Sequence, residues 1–151
     1  MSFWKPHKYH AKKVSHAGYS FGSKLEASVF DLLNLMIATG EYKDLEIQPH
    51  VKMTRAKILF IPDFAMTDVA TGKKVYIEAK GVETPVYRIK RRLWEAGYGP
   101  GMLHVYRGSY KNPKLFETIT PKEITNGDSE FEGDSGTGPK RRRASRAPRR
   151  G

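Results

Sequence analysis

Val75-Tyr76-Ile77-Glu78-Ala79-Lys80-Gly81 is the stretch from which the fold is read. Successive side chains of a strand point to opposite faces, so Val75, Ile77 and Ala79 form one side and Tyr76, Glu78 and Lys80 the other. The first set suits the underside of a helix. The second puts a carboxylate and an ammonium on the same open side, immediately before a glycine. Working outward, the Thr71-Gly72 turn precedes this strand, and Ile58 to Met66 reads as the strand before it. Leu45 to Thr54 reads as another, joined through a short turn near Arg55-Ala56. Neighbouring strands with links this short pair as an antiparallel meander.

Helices bracket the meander. Ser23-Lys24-Leu25-Glu26 fits a capping box, in which the serine hydroxyl accepts from a backbone N–H and the glutamate reaches back. Leu25, Val29, Leu32, Leu33, Met36 and Ile37 then recur at helical spacing until Gly40. Thr84-Pro85 opens a second helix with an N-cap and a first-position proline, and Gly97 closes it. Its expected apolar side is Val86, Ile89, Leu93 and Ala96, with Arg88, Arg91, Arg92 and Glu95 opposite. Met102 to Tyr106 reads as a last strand, and Asn112-Pro113 as the start of a short helix ending near Ile119. The sum is one α/β domain with a mixed sheet flanked by helices.

The chain's 151 residues suffice for one domain with a real core. Its 27 Lys+Arg against 16 Asp+Glu give a net charge of +11, which points to a polyanionic partner. That charge is unevenly placed. A basic arm, residues 1–20, carries Lys5, Lys8, Lys12 and Lys13 and no acid. A basic tail, residues 138–151, carries Lys140, Arg141, Arg142, Arg143, Arg146, Arg149 and Arg150 and no acid. The candidate domain, residues 21–120, is mildly basic, and an acidic linker, residues 121–137, offsets it. The linker and tail have the Gly, Ser and charged composition of unstructured chain, and the tail reads as a sequence-independent nucleic-acid anchor. With no cysteine, a disulfide scaffold, a thiol nucleophile and a cysteine-based zinc site are excluded, and a reducing cytoplasm is the expected setting. No apolar run approaches a membrane span or a signal peptide, so no membrane partner is expected.

Asp63 is a lone acid in an otherwise apolar strand, where an unpaired carboxylate is costly. Pro62 before it removes a ladder donor and suggests a strand end, edge or bulge. If the second and third strands pair through their turn, Asp63 and Glu78 come close enough to share one hard divalent cation such as Mg²⁺. Lys80 then lies beside the ion, placed to orient or deprotonate water or to offset charge on a phosphate. Glu26 is a further candidate ligand, direct or through water.

Pro62-Asp63 and Glu78-Ala79-Lys80, preceded by a helix bearing Glu26, resemble the PD-(D/E)xK nuclease superfamily and its αβββαβ core across roughly residues 20–107. More narrowly, Ser23-Lys24, Glu26, Gln48-Pro49, Asp63-Phe64, Glu78, Lys80-Gly81, Thr84, Tyr87 and Lys90 resemble small phage nucleases of the endonuclease I type, which resolve Holliday junctions. The resemblance implies Mg²⁺-dependent hydrolysis of DNA, with Mn²⁺ able to substitute. It implies Glu26, Asp63 and Glu78 at the metal, Lys80 at the water, and Gln48 orienting water or a ligand. It also implies branched DNA as the substrate in phage recombination or processing, a 5′-phosphate product and the host cytoplasm as the setting. Two symmetric cuts need two active sites, hence a homodimer.

Other readings stand beside these. Glu26 also serves as a capping residue, and Glu78 with Lys80 also fits a solvated strand face with a weak ion pair. Arg88, Lys90, Arg91 and Arg92 fit either phosphate contacts or the wet side of a helix. His7 and His10 have metal-compatible spacing without companion ligands, and His50 and His104 fit ordinary strand positions. The same core also serves nicking, transposon-end or restriction-type endonucleases, and a non-catalytic nucleic-acid-binding protein is a separate class.

Overall fold

The computed structural model describes residues 13–54 and 57–123. Residues 1–12 with His7 and His10, the Arg55-Ala56 turn, and residues 124–151 with Lys140, Arg141, Arg142 and Arg143 lie outside the described residues.

Strands β1 (Val14–His16) and β2 (Tyr19–Phe21) form a hairpin. Its turn residues Ala17 and Gly18 have φ of 49° and 82°. Positive φ at both positions matches the turn to the strands' twist. The last residues of the expected basic arm therefore belong to an ordered element, and Phe21 is buried against Phe30 and Phe64. Helix α1 (Lys24–Ala38) begins at the capping box: Glu26 N–H donates to Ser23 Oγ at 3.1 Å, and Gly22 N–H donates to a Glu26 carboxylate oxygen at 2.9 Å. It buries Leu25, Ala27, Val29, Phe30 and Leu33 and ends ahead of Gly40, whose φ is 82°.

The remaining elements are β3 (Tyr42–Ile47), β4 (Val51–Lys52), β5 (Leu59–Phe60), β6 (Phe64–Asp68), β7 (Lys74–Ala79), α2 (Pro85–Leu93), a π-helical turn (Trp94–Tyr98), β8 (Leu103–Ser109) and β9 (Asn112–Ile119). Five strands make one mixed sheet in the order β3-β6-β7-β8-β9, flanked by the two helices, an α/β fold. Only the β7–β8 pair is parallel, and α2 makes the crossover between its strands. Among the described residues no helix is long and apolar enough to cross a membrane.

Both expected long strands are broken. Gln48 takes a left-handed conformation, φ 51°, before Pro49, and this splits β3 from β4. Pro62-Asp63 splits β5 from β6, so β4 and β5 make a separate two-stranded ribbon while β3 and β6 join the main sheet. The proline lacks a ladder donor and marks the joint.

The helix expected from Asn112 to Ile119 is instead strand β9. A short apolar run has no decisive periodicity, and the free ladder groups of β8 recruit it as an antiparallel partner. Gly108, at φ 114°, allows the approach, because a Cβ there would meet the Asn112 carbonyl oxygen at 2.9 Å.

The expected apolar side of α2 is also corrected. Val86 and Ile89 are 59% and 60% exposed, Ala96 is exposed, and the helix is seated by Tyr87, half-buried Leu93 and the following Trp94. Trp94 wins because of its size. It is fully buried between Phe60 and Tyr76, and its Nε1–H donates to the Gly101 carbonyl at 2.8 Å. A Cβ at Gly99 would lie 2.4 Å from the indole, so only glycine closes this turn. The core consequently has two parts. Phe64, Met66, Ile77 and Ala79 pack with α1 and Phe21, while Ala65, Tyr76, Leu103 and Val105 pack with Tyr87, Trp94 and the β4–β5 ribbon.

Candidate active site

The antiparallel β6–β7 register pairs Phe64 with Ile77 and Ala65 with Tyr76. Continued by one residue, it sets Asp63 opposite Glu78, where side chains share a face. Asp63 is tied there because one of its carboxylate oxygens accepts from Ala79 N–H at 2.7 Å. The break at Pro62 thus serves the site: it ends β5 and lets the next residue bond across to the end of β7.

Glu78 is only 6% exposed, which overturns the solvated-face reading and the open side expected for it. One carboxylate oxygen lies 3.4 Å from Lys80 Nζ, and the other, Oε2, is buried without a hydrogen-bond partner among the described residues. Burial, opposed by the Lys80 ammonium and reinforced by Glu26, raises its pKa to about 7. Burial, then the charges of Glu78 and Glu26, push the Asp63 carboxyl well above the ordinary carboxylate range. Three carboxylates from α1, the β5–β6 joint and β7 therefore feel one another. Lys80 sits 4.5 Å from the centroid of the Tyr87 ring, whose buried hydroxyl also lacks a partner. Burial and the nearby Glu78 charge push that phenol up to about 12.

Glu26 closes the capping box expected of it, and its charge reaches Asp63 and Glu78. Gln48 is exposed, and its backbone N–H donates to the Asp63 carbonyl at 2.9 Å. It braces the Asp63 backbone, and its side chain has no hydrogen bond among the described residues.

Two carboxylates plus waters are a usual way to hold Mg²⁺, which dehydrates reluctantly and seldom sits in an all-protein cage. Among the described residues no three His, Cys, Asp or Glu side chains converge as a ready metal centre. The donor set nonetheless fits a hard cation. The unpartnered Glu78 Oε2 is an acceptor that a cation would satisfy, and mutual repulsion with Asp63 is what a positive charge between them relieves.

A family model described as "Protein of unknown function (DUF1064)" matches residues 6–114. The chain belongs to that family. The matched stretch includes Glu26, Gln48, Asp63, Glu78 and Lys80 and stops before the basic tail. No curated protein matches the chain.

The basic residues of α2 divide into two groups. Arg91 is enclosed by carboxylates, at 2.5 Å from Glu117 and 3.5 Å from both Glu83 and Glu95. Glu83 also binds Arg107 and lies 3.5 Å from Arg88. Arg91 therefore braces α2 against β9, and its charge is already answered within the protein. Exposed Arg92 and half-exposed Lys90 have no ion pair among the described residues, and Arg88 keeps most of its side chain in solvent. Sequence reading missed this network, whose members come from α2, the π-helical turn after it, β8, β9 and the loop before α2. It also left Tyr87 without a role, although its seven-residue spacing from Trp94 marks one helical face. His50 is exposed and lies in the joint between β3 and β4 instead of on the strand expected for it, while His104 is half-buried on β8, where burial lowers its pKa.

Proposed function

We propose that the protein is a Mg²⁺-dependent endonuclease that hydrolyses DNA phosphodiesters, acts on branched DNA such as a four-way junction, and works as a homodimer. The observation that carries this reading is the Asp63 carboxylate bonded to Ala79 N–H at 2.7 Å, beside Glu78, with a Glu78 oxygen unsatisfied among the described residues and a lysine ammonium 3.4 Å from that carboxylate. A structural ion pair has no need of a second, half-buried acid beside it. The order α1-β3-β6-β7-α2-β8 also agrees with the αβββαβ core implied by the PD-(D/E)xK resemblance.

In this reading Asp63 and Glu78 hold the ion, and Glu26 reaches it through water. The bound ion supplies Lewis acidity at a phosphate oxygen and acidifies a water. Lys80 orients that water and offsets charge on the phosphate. The water oxygen bonds to phosphorus and gives up a proton to solvent as the P–O3′ bond breaks and the departing O3′ takes up a proton from solvent, leaving a 5′-phosphate and a 3′-hydroxyl. Lys90, Arg88 and Arg92 extend toward flanking phosphates, and the basic tail adds sequence-independent affinity.

The test is incubation of the full chain with a labelled four-way junction and a linear duplex of matched sequence, in Mg²⁺ or EDTA. Cutting in Mg²⁺ alone, faster on the junction, is the expected result. Asp63→Asn and Glu78→Gln should retain DNA binding and lose about 10³-fold in cleavage rate. Absence of metal-dependent cutting on any DNA sinks the reading in favour of a binding protein. Equal cutting of both substrates removes the junction preference and points to the nicking or restriction-type alternatives.

A further inference from the structure

The carboxylate site opens into a groove of about 370 Å³ between the β4–β5 ribbon and α2. Leu59 and Ile61 line it from the ribbon side, Val86 and Lys90 from α2, and it includes Glu78 and Lys80. The aliphatic residues of its rim are exposed, Leu59 36%, Ile61 40% and Val86 59%, while the aromatic Phe60 and Tyr87 in its lining are buried. Val86 and Ile89 are the side chains an amphipathic helix would normally bury, yet α2 turns them outward. Leaving such side chains in water forgoes about 1.5–3 kcal/mol each. An aliphatic rim around a charged site is the composition of a ligand site, not of a solvated surface.

The shape and charge of the groove select its occupant. Its volume lies at the low end of the roughly 300–1,000 Å³ typical of small-ligand sites, suited to a single nucleotide and not to a protein helix. Lys80 and Lys90 in one groove favour a phosphate-bearing ligand, and aliphatic walls beside them favour a flat apolar one. A phosphate at Glu78 and Lys80 has its own sugar and base within one nucleotide's reach of Ile61 and Val86. A base stacked in a duplex does not fill that space. Aliphatic side chains pressed against a base step offset lost stacking, as they do in proteins that kink DNA.

We propose that this groove receives one unstacked nucleotide adjoining the scissile phosphate, so that the substrate class is DNA whose base pairs are open or easily opened at the cut. The proposal rests on the nuclease reading of the same site. It makes Ile61 and Val86 residues that determine specificity by contact with the base, while the surrounding cations bind phosphate without regard to structure.

The experiment uses a four-way junction carrying 2-aminopurine at the branch point, bound by the full chain in EDTA, where no cutting occurs. Wild type should raise the fluorescence several-fold as the base unstacks. Ile61→Ser/Val86→Ser should keep the salt dependence of wild-type binding, which reports the phosphate contacts, and leave the fluorescence flat at saturating protein. Val86→Lys, on an exposed helix face, is a second variant: it should bind DNA more tightly through its added charge and still fail to unstack the base. In Mg²⁺ the serine variant should cut paired DNA at least tenfold more slowly, and a mismatch beside the cut should restore most of that loss.

No fluorescence change with wild type, or the same change with both variants, overturns the groove while normal cleavage leaves the nuclease reading intact. A fluorescence rise that depends on Ile61 and Val86, without metal-dependent cutting, overturns the nuclease reading and keeps the nucleotide site. A wild-type dimer that becomes monomeric in the serine variant means that a second copy covers the rim, and the proposal fails.

Discussion

The two faces of the central sheet are built on opposite terms. Under α1, Phe21, Val29, Phe30, Leu33, Phe64 and Ile77 close a purely apolar layer in which the aromatic rings lie 5.1 to 6.2 Å apart. Under α2, the same sheet buries Glu78, leaves its Oε2 and the Tyr87 hydroxyl without partners, and turns Val86 and Ile89 to solvent. The strands alternate between these environments residue by residue, so Ile77 and Glu78 are neighbours in sequence with opposite tasks. One face supplies stability, and the other gives some of it up to keep charges in a site. Proteins tolerate unsatisfied buried polar groups where those groups have work to do.

The contrast can be broken by mutation. Leu33→Ala, on the α1 face, should cost about 2–5 kcal/mol in denaturant unfolding, because it leaves a cavity in close-packed surroundings. Glu78→Gln, one sheet layer away, should leave stability at pH 8 in EDTA unchanged or higher, since it removes a buried charge. A large loss there would mean that Glu78 is a structural residue.

A pH series sharpens the same contrast. Glu78, raised from 4.5 to about 7, and Asp63, raised well above its usual range, both bind more protons folded than unfolded. The Glu78 contribution is complete below about pH 4.5 and is lost as pH rises through about 7, and Asp63 acts in the same direction. Metal-free protein should therefore lose on the order of 2 kcal/mol between pH 5 and pH 8, read by urea unfolding in EDTA. Glu78→Gln should flatten that slope. Added Mg²⁺ should stabilise the wild type more at pH 8 than at pH 6, because the ion competes with those protons.

The smallest expected effect is at Tyr87. Tyr87→Phe removes a buried hydroxyl that has no partner and keeps the ring 4.5 Å from Lys80 Nζ, so stability should hold or rise by up to about 1 kcal/mol. Tyr87→Leu, which removes the ring from Lys80, should slow cleavage while leaving DNA affinity near wild type.

Much of the site was legible because its signals are local. The capping box at Ser23 and Glu26 is four residues of backbone chemistry, and the pairing of Asp63 with Glu78 follows from two strands and a short turn. Pro62 announced its own strand end. Other features were hidden because they depend on contacts between distant segments. Whether Asn112 to Ile119 is helix or strand depended on the unpaired edge of β8. Which side of α2 is buried depended on a pocket between Phe60 and Tyr76 that fits Trp94. Arg91 looked free on a helical projection, and only folding brings Glu83, Glu95 and Glu117 around it. The Val14–Phe21 hairpin was hidden among basic and polar residues, with Ala17-Gly18 its one local signal.

By itself, then, the sequence determined the order of the main elements, the α/β class and the acids and lysine at the heart of the candidate site, because alternation, capping and turn chemistry act over a few residues. Only the tertiary structure decided that Glu78 is buried with an unsatisfied oxygen, that the arginines of α2 are not equivalent, and that an aliphatic groove lies beside the carboxylates. Those properties belong to the space between elements, and no short-range pattern carries them.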